Sequence, residues 1–136
     1  SSEEWKSANK PILRYNPKLW QNVDCEPFEF KESGIGPEGR SLDIFGDGTI
    51  QLVYTPGHSK GLTSVLVQHD DKSVLICSDV AYAAKAWREM ILPGMTPEKS
   101  KAKKSLQWVH QIGTSPTCVE VLPNHDLDIQ PHVIEL

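Results

Sequence analysis

The stretch Thr55-Pro56-Gly57-His58-Ser59 ends the apolar run of residues 49–54, and the surrounding chain is organised around it. A β-branched and aromatic run that stops at Pro-Gly is typical of a strand ending in a tight turn. A second apolar run, residues 63–69, follows almost at once, so the His58 imidazole stands just beyond a strand end. Histidine is the commonest transition-metal ligand, and strand ends hold ligands rigidly. His58 is therefore a candidate metal ligand, with a plain turn residue as the alternative.

Two further candidate ligands follow apolar runs in the same manner. Asp79 comes directly after residues 73–78, and His125 comes shortly after residues 119–123. The alternatives are that Asp79 caps a helix and that His125 is an ordinary loop histidine. Because three predicted strand ends each deliver one common type of ligand, we expect the three side chains to converge at one edge of a sheet.

The remaining pattern predicts a mixed α/β (α+β) chain in which hairpins are covered by helices. Hairpins are expected around Gly46-Asp47-Gly48 and Asp70-Asp71-Lys72, and further strands at residues 26–30, 117–122 and 132–136. We expect the hairpin strands to pack one face on helices and the other on a second sheet. The aromatic residues of 11–21 fit either the core or the rim of a substrate site.

Two helices are predicted from capping signals. Ser1, followed by two acids, favours a helix start that breaks near Lys10-Pro11. Thr96-Pro97-Glu98 favours a second start, and Gly113 is its stop signal. The lysines of this second helix are expected to form its solvated face. They are Lys99, Lys101, Lys103 and Lys104.

Composition excludes some classes of function. The chain has 136 residues, 38% of them hydrophobic, and a net charge of −4, which gives no electrostatic case for binding nucleic acid. No apolar run reaches the roughly 18 residues of a membrane span. Three cysteines without a Cys-x-x-Cys spacing favour a reducing, cytoplasmic setting. We therefore expect neither a nucleic-acid partner nor a membrane partner.

Several motifs together resemble the second half of the metallo-β-lactamase superfamily, and within it they are most similar to N-acyl-homoserine lactonases. They are Leu42-Asp43-Ile44-Phe45-Gly46-Asp47-Gly48, Thr55-Pro56-Gly57-His58-Ser59, Ser78-Asp79-Val80-Ala81-Tyr82 and Asn124-His125-Asp126. The similarity runs through nearly the whole chain. It implies the C-terminal half of an αββα sandwich, with residues 1–136 as a single partial domain. The His-x-His-x-Asp-His motif of the superfamily's first half is absent.

The resemblance implies hydrolysis by a dinuclear metal site, most simply the opening of an N-acyl-homoserine lactone ring. His58 and His125 would each complete one metal's ligands, and Asp79 would bridge the two ions. These ions would be Zn²⁺, with Mn, Fe or Co as further possibilities. Tyr82 matches the tyrosine that contacts the substrate near the scissile carbonyl in such lactonases, or else it is a core aromatic. Asp126 is either an orienter of an imidazole or a turn residue.

The missing motif has consequences for activity and assembly. A catalytic zinc usually has about three protein ligands, so this chain alone is expected to bind metal weakly and to be inactive. The sheet face that carries residues 49–54 and 65–67 is expected to be covered by another copy or by a complementary N-terminal half. A hydrolase of another ester or thioester is the alternative on the same fold. A non-catalytic remnant that acts as an interaction or structural domain is the alternative from another class.

Overall fold

One six-stranded sheet organises the part of the chain that the computed structural model describes, residues 1–9 and 15–136. The strands lie side by side in sequence order, and only the last pair, β5 with β6, is parallel. They are β1 (Lys31–Glu32), β2 (Arg40–Asp43), β3 (Ile50–Tyr54), β4 (Thr63–His69), β5 (Lys72–Ser78) and β6 (Cys118–Pro123). Both predicted hairpins are present, and the mixed sheet confirms the expected fold class.

The helices are α1 (Ser2–Ala8), α2 (Ala84–Arg88) and α3 (Lys99–Gly113), with one short 3-10 turn at Pro17–Leu19. Ser1 caps α1 as predicted, since its hydroxyl accepts the N–H of Glu4 at 3.3 Å. The predicted break near Lys10-Pro11 lies outside the described residues. α2 and α3 form the crossover that a parallel strand pair requires, because β5 and β6 cannot be joined by a tight turn. None of the described helices is long and apolar enough to cross a membrane.

The two faces of the sheet differ in burial, and the alternation along β3 and β4 shows it. In β3 and β4, residues that point to the helices are buried, whereas their neighbours on the opposite face are only half-buried. The helix side forms the core, in which Leu75 on β5 and Leu106 on α3 are fully buried. The rest of this core is Val53, Leu66, Cys77, Val80, Ala81, Trp87, Val109 and Val121.

The opposite face carries a row of aliphatic side chains that crosses five strands. The strand register places these residues side by side, each half-buried: Leu42, Leu52, Val65, Ile76 and Leu122. The second sheet that was expected to cover this face is not among the described residues, which form one sheet only. A continuous apolar row on a sheet face is a feature of surfaces that are covered in a functional assembly.

Two predicted strands are not strands in the structure. Residues 26–30 are irregular and do not join the sheet, because the carbonyl of Phe28 accepts the N–H of Ser2 at 2.8 Å, at the start of α1. Phe30 packs against Tyr54 instead, with ring centroids 5.0 Å apart. Residues 132–136 are also irregular. His132 Nε2 lies 2.8 Å from Glu120 Oε2, so a side-chain contact holds this segment to β6 in place of a ladder.

The long helix begins two residues later than its capping signal predicts. The Thr96 hydroxyl donates to the carbonyl of Pro93 at 2.5 Å, so it stabilises the preceding turn and is not available to cap α3. Gly113 ends the helix as predicted, and packing gives a second reason for a glycine at this position. A Cβ there would lie 2.8 Å from both Trp87 and Val121, so close packing of α3 on α2 and β6 requires glycine. The four lysines are exposed, as expected.

The free cysteines should differ sharply in reactivity. Cys77 is fully buried, and its burial raises the pKa of its thiol to about 12, whereas Cys25 is exposed. Because the thiolate is the reactive form, we expect a disulfide reagent at pH 8 to modify Cys77 at least about a thousandfold more slowly than Cys25. The measurement is mass spectrometry of peptides after timed labelling, and Cys25→Ser should remove the fast phase. Equal rates would contradict the buried position of Cys77.

Candidate metal centre

The turn that carries His58 is fastened to α3 from two sides. Ser105, on the buried face of the helix, donates its hydroxyl to the carbonyl of Pro56 at 2.7 Å. The N–H of Glu98 donates to the carbonyl of Gly57 at 3.3 Å. Thr55, just before the turn, is fully buried, and its hydroxyl lies 2.9 Å from that of Ser64 on β4. These bonds satisfy backbone groups of the turn inside the protein and hold the start of the β3–β4 connection rigidly.

Gly57 permits this contact because it has no side chain. A Cβ at this position would lie 2.3 Å from the backbone nitrogen of Ala102 and 2.4 Å from its Cα atom. Its φ of +135° is also a conformation that residues with a Cβ rarely adopt. The Pro-Gly pair read in the sequence as a turn therefore also brings the chain into direct contact with α3, and His58 follows at a position that this contact determines.

The Asp79 carboxylate lies between two imidazoles. Its Oδ1 is 3.0 Å from His125 Nε2, and its Oδ2 is 3.6 Å from His58 Nε2. Each carboxylate oxygen thus faces one ring nitrogen. His58 is largely buried, with 13% of its side chain exposed, whereas His125 is 59% exposed. The structure therefore brings together the three side chains that the sequence analysis singled out.

Tyr82 stands beside both imidazoles. Its ring meets that of His125 edge-on at 4.8 Å between centroids and that of His58 edge-on at 5.8 Å. The residue is half-buried, so it is not part of the closed core formed by the helices and the sheet. This location places a phenol group next to the three clustered side chains, as the resemblance implied.

The loop that carries His125 is held by backbone hydrogen bonds. The N–H of His125 donates to the carbonyl of Tyr82 at 3.1 Å. Asp126 Oδ2 accepts the N–H of Ala84 at 2.7 Å, and its Oδ1 accepts the N–H of Asp128 at 3.1 Å. These two hydrogen bonds hold the pKa of the Asp126 carboxyl below its ordinary value, and the bond from Ala84 has the larger effect. The Asp126 carboxylate thus contacts backbone N–H groups, as a turn residue does, and touches no imidazole ring directly.

A cavity of about 520 Å³ opens in front of the side chains of His58, Asp79 and Tyr82. It is lined by His58, Asp79, Tyr82, Ser59, Leu62, Met95, Glu4 and Tyr15. Glu4 was read in the sequence only as an acid in the first turn of α1. In the structure its carboxylate accepts the N–H of Gly61 at 2.7 Å and the hydroxyl of Tyr15 at 2.6 Å, and both Glu4 and Tyr15 line the cavity wall. Of the two interpretations of Tyr15, its position favours the rim.

The donor set suits part of a divalent metal site. Among residues 1–9 and 15–136, no three His, Cys, Asp or Glu side chains converge as the ligands of one ion. The arrangement of Asp79 explains this, since each of its oxygens is directed at a different imidazole, as in a bridging carboxylate. Two imidazoles and a carboxylate are ligands that zinc accepts, and two ions would need further donors. His69 and His132 are exposed and His110 contacts the carbonyl of Trp87, so these histidines lie outside the cluster.

Sequence comparison relates the chain to curated lactonases. It is 34% identical over 127 residues to the N-acyl homoserine lactonase AttM of Azorhizobium caulinodans. The aligned region covers 93% of this chain and 42% of that protein. The AttM protein of Rhizobium johnstonii is 32% identical over 92 residues, or 67% of the chain and 35% of the relative. The chain thus spans less than half the length of these relatives. No protein-family model matches it.

Solved structures show the same fold. An N-acyl homoserine lactone hydrolase with the product N-hexanoyl-L-homoserine bound at its catalytic metal centre superposes with a TM-score of 0.68 at 20% identity, over 93% of this chain and 45% of that one. A quorum-quenching N-acyl homoserine lactone lactonase gives a TM-score of 0.67 over 93% and 47%. The chain therefore has the same α+β fold as these lactonases. The sequence relatives and the fold together identify it as a homologue of the N-acyl-homoserine lactonases of the metallo-β-lactamase superfamily.

Proposed function

We propose that residues 1–136 form the C-terminal part of a metal-dependent hydrolase that opens the ring of N-acyl-homoserine lactones. The observation that carries the proposal is the Asp79 carboxylate, which faces His58 with one oxygen and His125 with the other. The names of the relatives, N-acyl homoserine lactonases, support the substrate class. Packing alone does not explain why residues from three separate strand ends come together here, because two of the three side chains are more than a quarter exposed.

His58, Asp79 and His125 are proposed as the metal ligands, with Asp79 shared between two ions. When bound at these residues, divalent ions would lower the pKa of a water molecule and polarise the substrate carbonyl. Zn²⁺ is the expected metal, and Mn, Fe or Co would also suit imidazole and carboxylate donors. The protein's contribution is to fix the spacing of these donor atoms. The turn at Gly57, which is bonded to α3, and the loop at His125, which is bonded to Tyr82, hold the two imidazoles in place.

Tyr82 is proposed to contact the substrate. Its phenol can donate a hydrogen bond to the carbonyl or leaving oxygen as negative charge develops there, without having to change its own protonation state. Its place beside both imidazole rings supports this role over that of a core aromatic. The volume of the cavity in front of it, about 520 Å³, falls within the range of small-molecule sites.

The domain is proposed to be partial, and the open sheet face supports this. The aliphatic row from Leu42 to Leu122 is half-buried, and no second sheet lies over it among the described residues. We propose that a complementary N-terminal half covers it and supplies the further metal ligands; a second copy of the chain is the other possible cover. The proposed setting is the cytoplasm, in keeping with three free cysteines.

The test compares the 136-residue chain with the protein expressed from the complete gene. With added zinc, manganese or cobalt, the 136-residue chain should release no appreciable acid from a homoserine lactone at neutral pH, because each ion would have only one terminal histidine. The complete protein should carry a His-x-His-x-Asp-His motif within about a hundred residues before Ser1 and should hydrolyse the lactone.

The other outcomes separate the alternatives. Turnover of simple esters or thioesters but not of lactones would indicate a different hydrolase on the same fold. A complete gene without the upstream motif, and a product inactive on all three substrates, would indicate a non-catalytic remnant. Strong lactone turnover by the 136-residue chain itself would overturn the partial-domain proposal, since other ligands would then complete the site.

A further inference from the structure

The short helix α2 has no capping side chain of its own. Its N-cap residue is Ala83, which cannot accept a hydrogen bond through its side chain. The N–H of Ala84, at the start of the helix, donates to Asp126 Oδ2 at 2.7 Å, and Asp126 is 42 residues further along the chain. A carboxylate at this place also interacts favourably with the positive end of the helix dipole. Asp126 is thus a long-range cap, and it stands directly after His125.

Asp126 makes one of two hydrogen bonds that join the loop carrying His125 to the stretch from Tyr82 to Ala84. The other is the hydrogen bond from the N–H of His125 to the carbonyl of Tyr82, at 3.1 Å. The second oxygen of Asp126 accepts the N–H of Asp128 and closes the turn that follows His125. Both termini of the short stretch from Tyr82 to Ala84 are therefore attached to the loop that carries His125.

We infer that Asp126 is a positioning residue, which holds the His125 imidazole against Asp79 and Tyr82. With 59% of its side chain exposed, His125 has little packing to restrain it. Its backbone is instead restrained by hydrogen bonds on either side, one made by its own N–H and the other by the adjacent carboxylate. Without the carboxylate, the loop keeps a single tie to the Tyr82 segment. The purpose of this positioning, metal binding, rests on the proposed function, but the contact itself does not.

The two oxygens of Asp126 give a graded set of variants. Asp126→Ala removes both acceptors. Asp126→Asn keeps one acceptor oxygen and places an amide group where the other N–H needs an acceptor, so it should rescue only part of the effect. Asp128→Ala is the matched control, since it also removes one negative charge two residues away, while its backbone N–H still reaches Asp126.

The first readout is the metal-free protein in solution. Because the Tyr82 ring lies 4.8 Å from that of His125, its ring current should shift the imidazole proton resonances of His125 away from their random-coil positions. In NMR spectra we expect Asp126→Ala to lose most of this shift, Asp126→Asn to lose part of it and Asp128→Ala to retain it. The amide resonances of β3, β4 and β5 should not move. An unchanged His125 shift in Asp126→Ala would overturn the inference.

A second variant separates positioning from helix stability. Adding Ala83→Ser to Asp126→Ala gives α2 a cap of its own but leaves the loop untied. We expect it to restore the helix and not the His125 shift; restoration of both would show that Asp126 only stabilises α2. In the complete protein, Asp126→Ala should weaken zinc binding about 10- to 100-fold. If the NMR result is as expected and no variant or parent binds zinc, the positioning role stands and the proposed function fails.

Discussion

Asp79→Asn in the complete protein is expected to lower kcat/KM for lactone opening at least about a thousandfold. The amide retains one acceptor oxygen but loses the charge that a shared ligand needs, so it cannot hold two cations at once. A thousandfold loss corresponds to roughly 4 kcal/mol of transition-state stabilisation, the scale on which metal ions act in such reactions. The assay is acid release from a homoserine lactone, together with the metal content of the purified protein.

Matched variants show whether the effect is specific to the cluster. His125→Ala should cause a loss of similar size, because it removes the imidazole that lies 3.0 Å from Asp79. His69→Ala removes a histidine at the exposed end of β4 and should leave the activity unchanged. If Asp79→Asn kept its metal and its rate within tenfold of the parent, Asp79 would not be a shared ligand and the proposed centre would be wrong.

Gly57→Ala should be among the most destabilising single substitutions in the chain. It forces a Cβ to within 2.3 Å of the α3 backbone at Ala102, where no flexible side chain can move aside, and it adds the strain of a φ of +135°. Strain of this kind and overpacking each cost about 1–3 kcal/mol, so we expect a loss of about 3–5 kcal/mol in the free energy of unfolding. The measurement is urea denaturation followed by circular dichroism.

Gly46→Ala provides the control for backbone strain alone. Gly46 also has a positive φ, +76°, but a Cβ there would meet nothing within 4 Å. It should therefore cost about 1 kcal/mol, the penalty of the left-handed conformation by itself. Equal losses in the two variants would mean that the contact between the His58 turn and α3 is not as close as the structure has it.

The sequence by itself determined the hairpins, the long helix and the order of the site residues. These depend on local properties: the alternation of apolar residues, glycine and aspartate at the turns, and the spacing along α3. The Thr55-Pro56-Gly57-His58-Ser59 turn, Asp79 after β5 and His125 after β6 could be identified because each follows a strand. The motifs also indicated the family, which the sequence relatives and the fold confirm.

The local pattern failed where another part of the chain provides a competing partner. Residues 26–30 alternate as a strand does, yet the carbonyl of Phe28 accepts an N–H from the start of α1 and the ring of Phe30 packs on Tyr54. Thr96 has the form of a helix cap, yet its hydroxyl bonds to the preceding turn, at the carbonyl of Pro93. In both cases packing decided the partner, and the local sequence did not.

Only the tertiary structure decided how the site is assembled. The placement of the Asp79 carboxylate between two imidazoles depends on the parallel register of β5 and β6 and on the contact of Gly57 with α3. Asp126 as the cap of α2 and Glu4 at the cavity wall bring together residues that are 42 and 57 positions apart. A single sequence has no periodic signal for such pairs, because hydrogen bonds between distant segments arise from the packing of the whole chain.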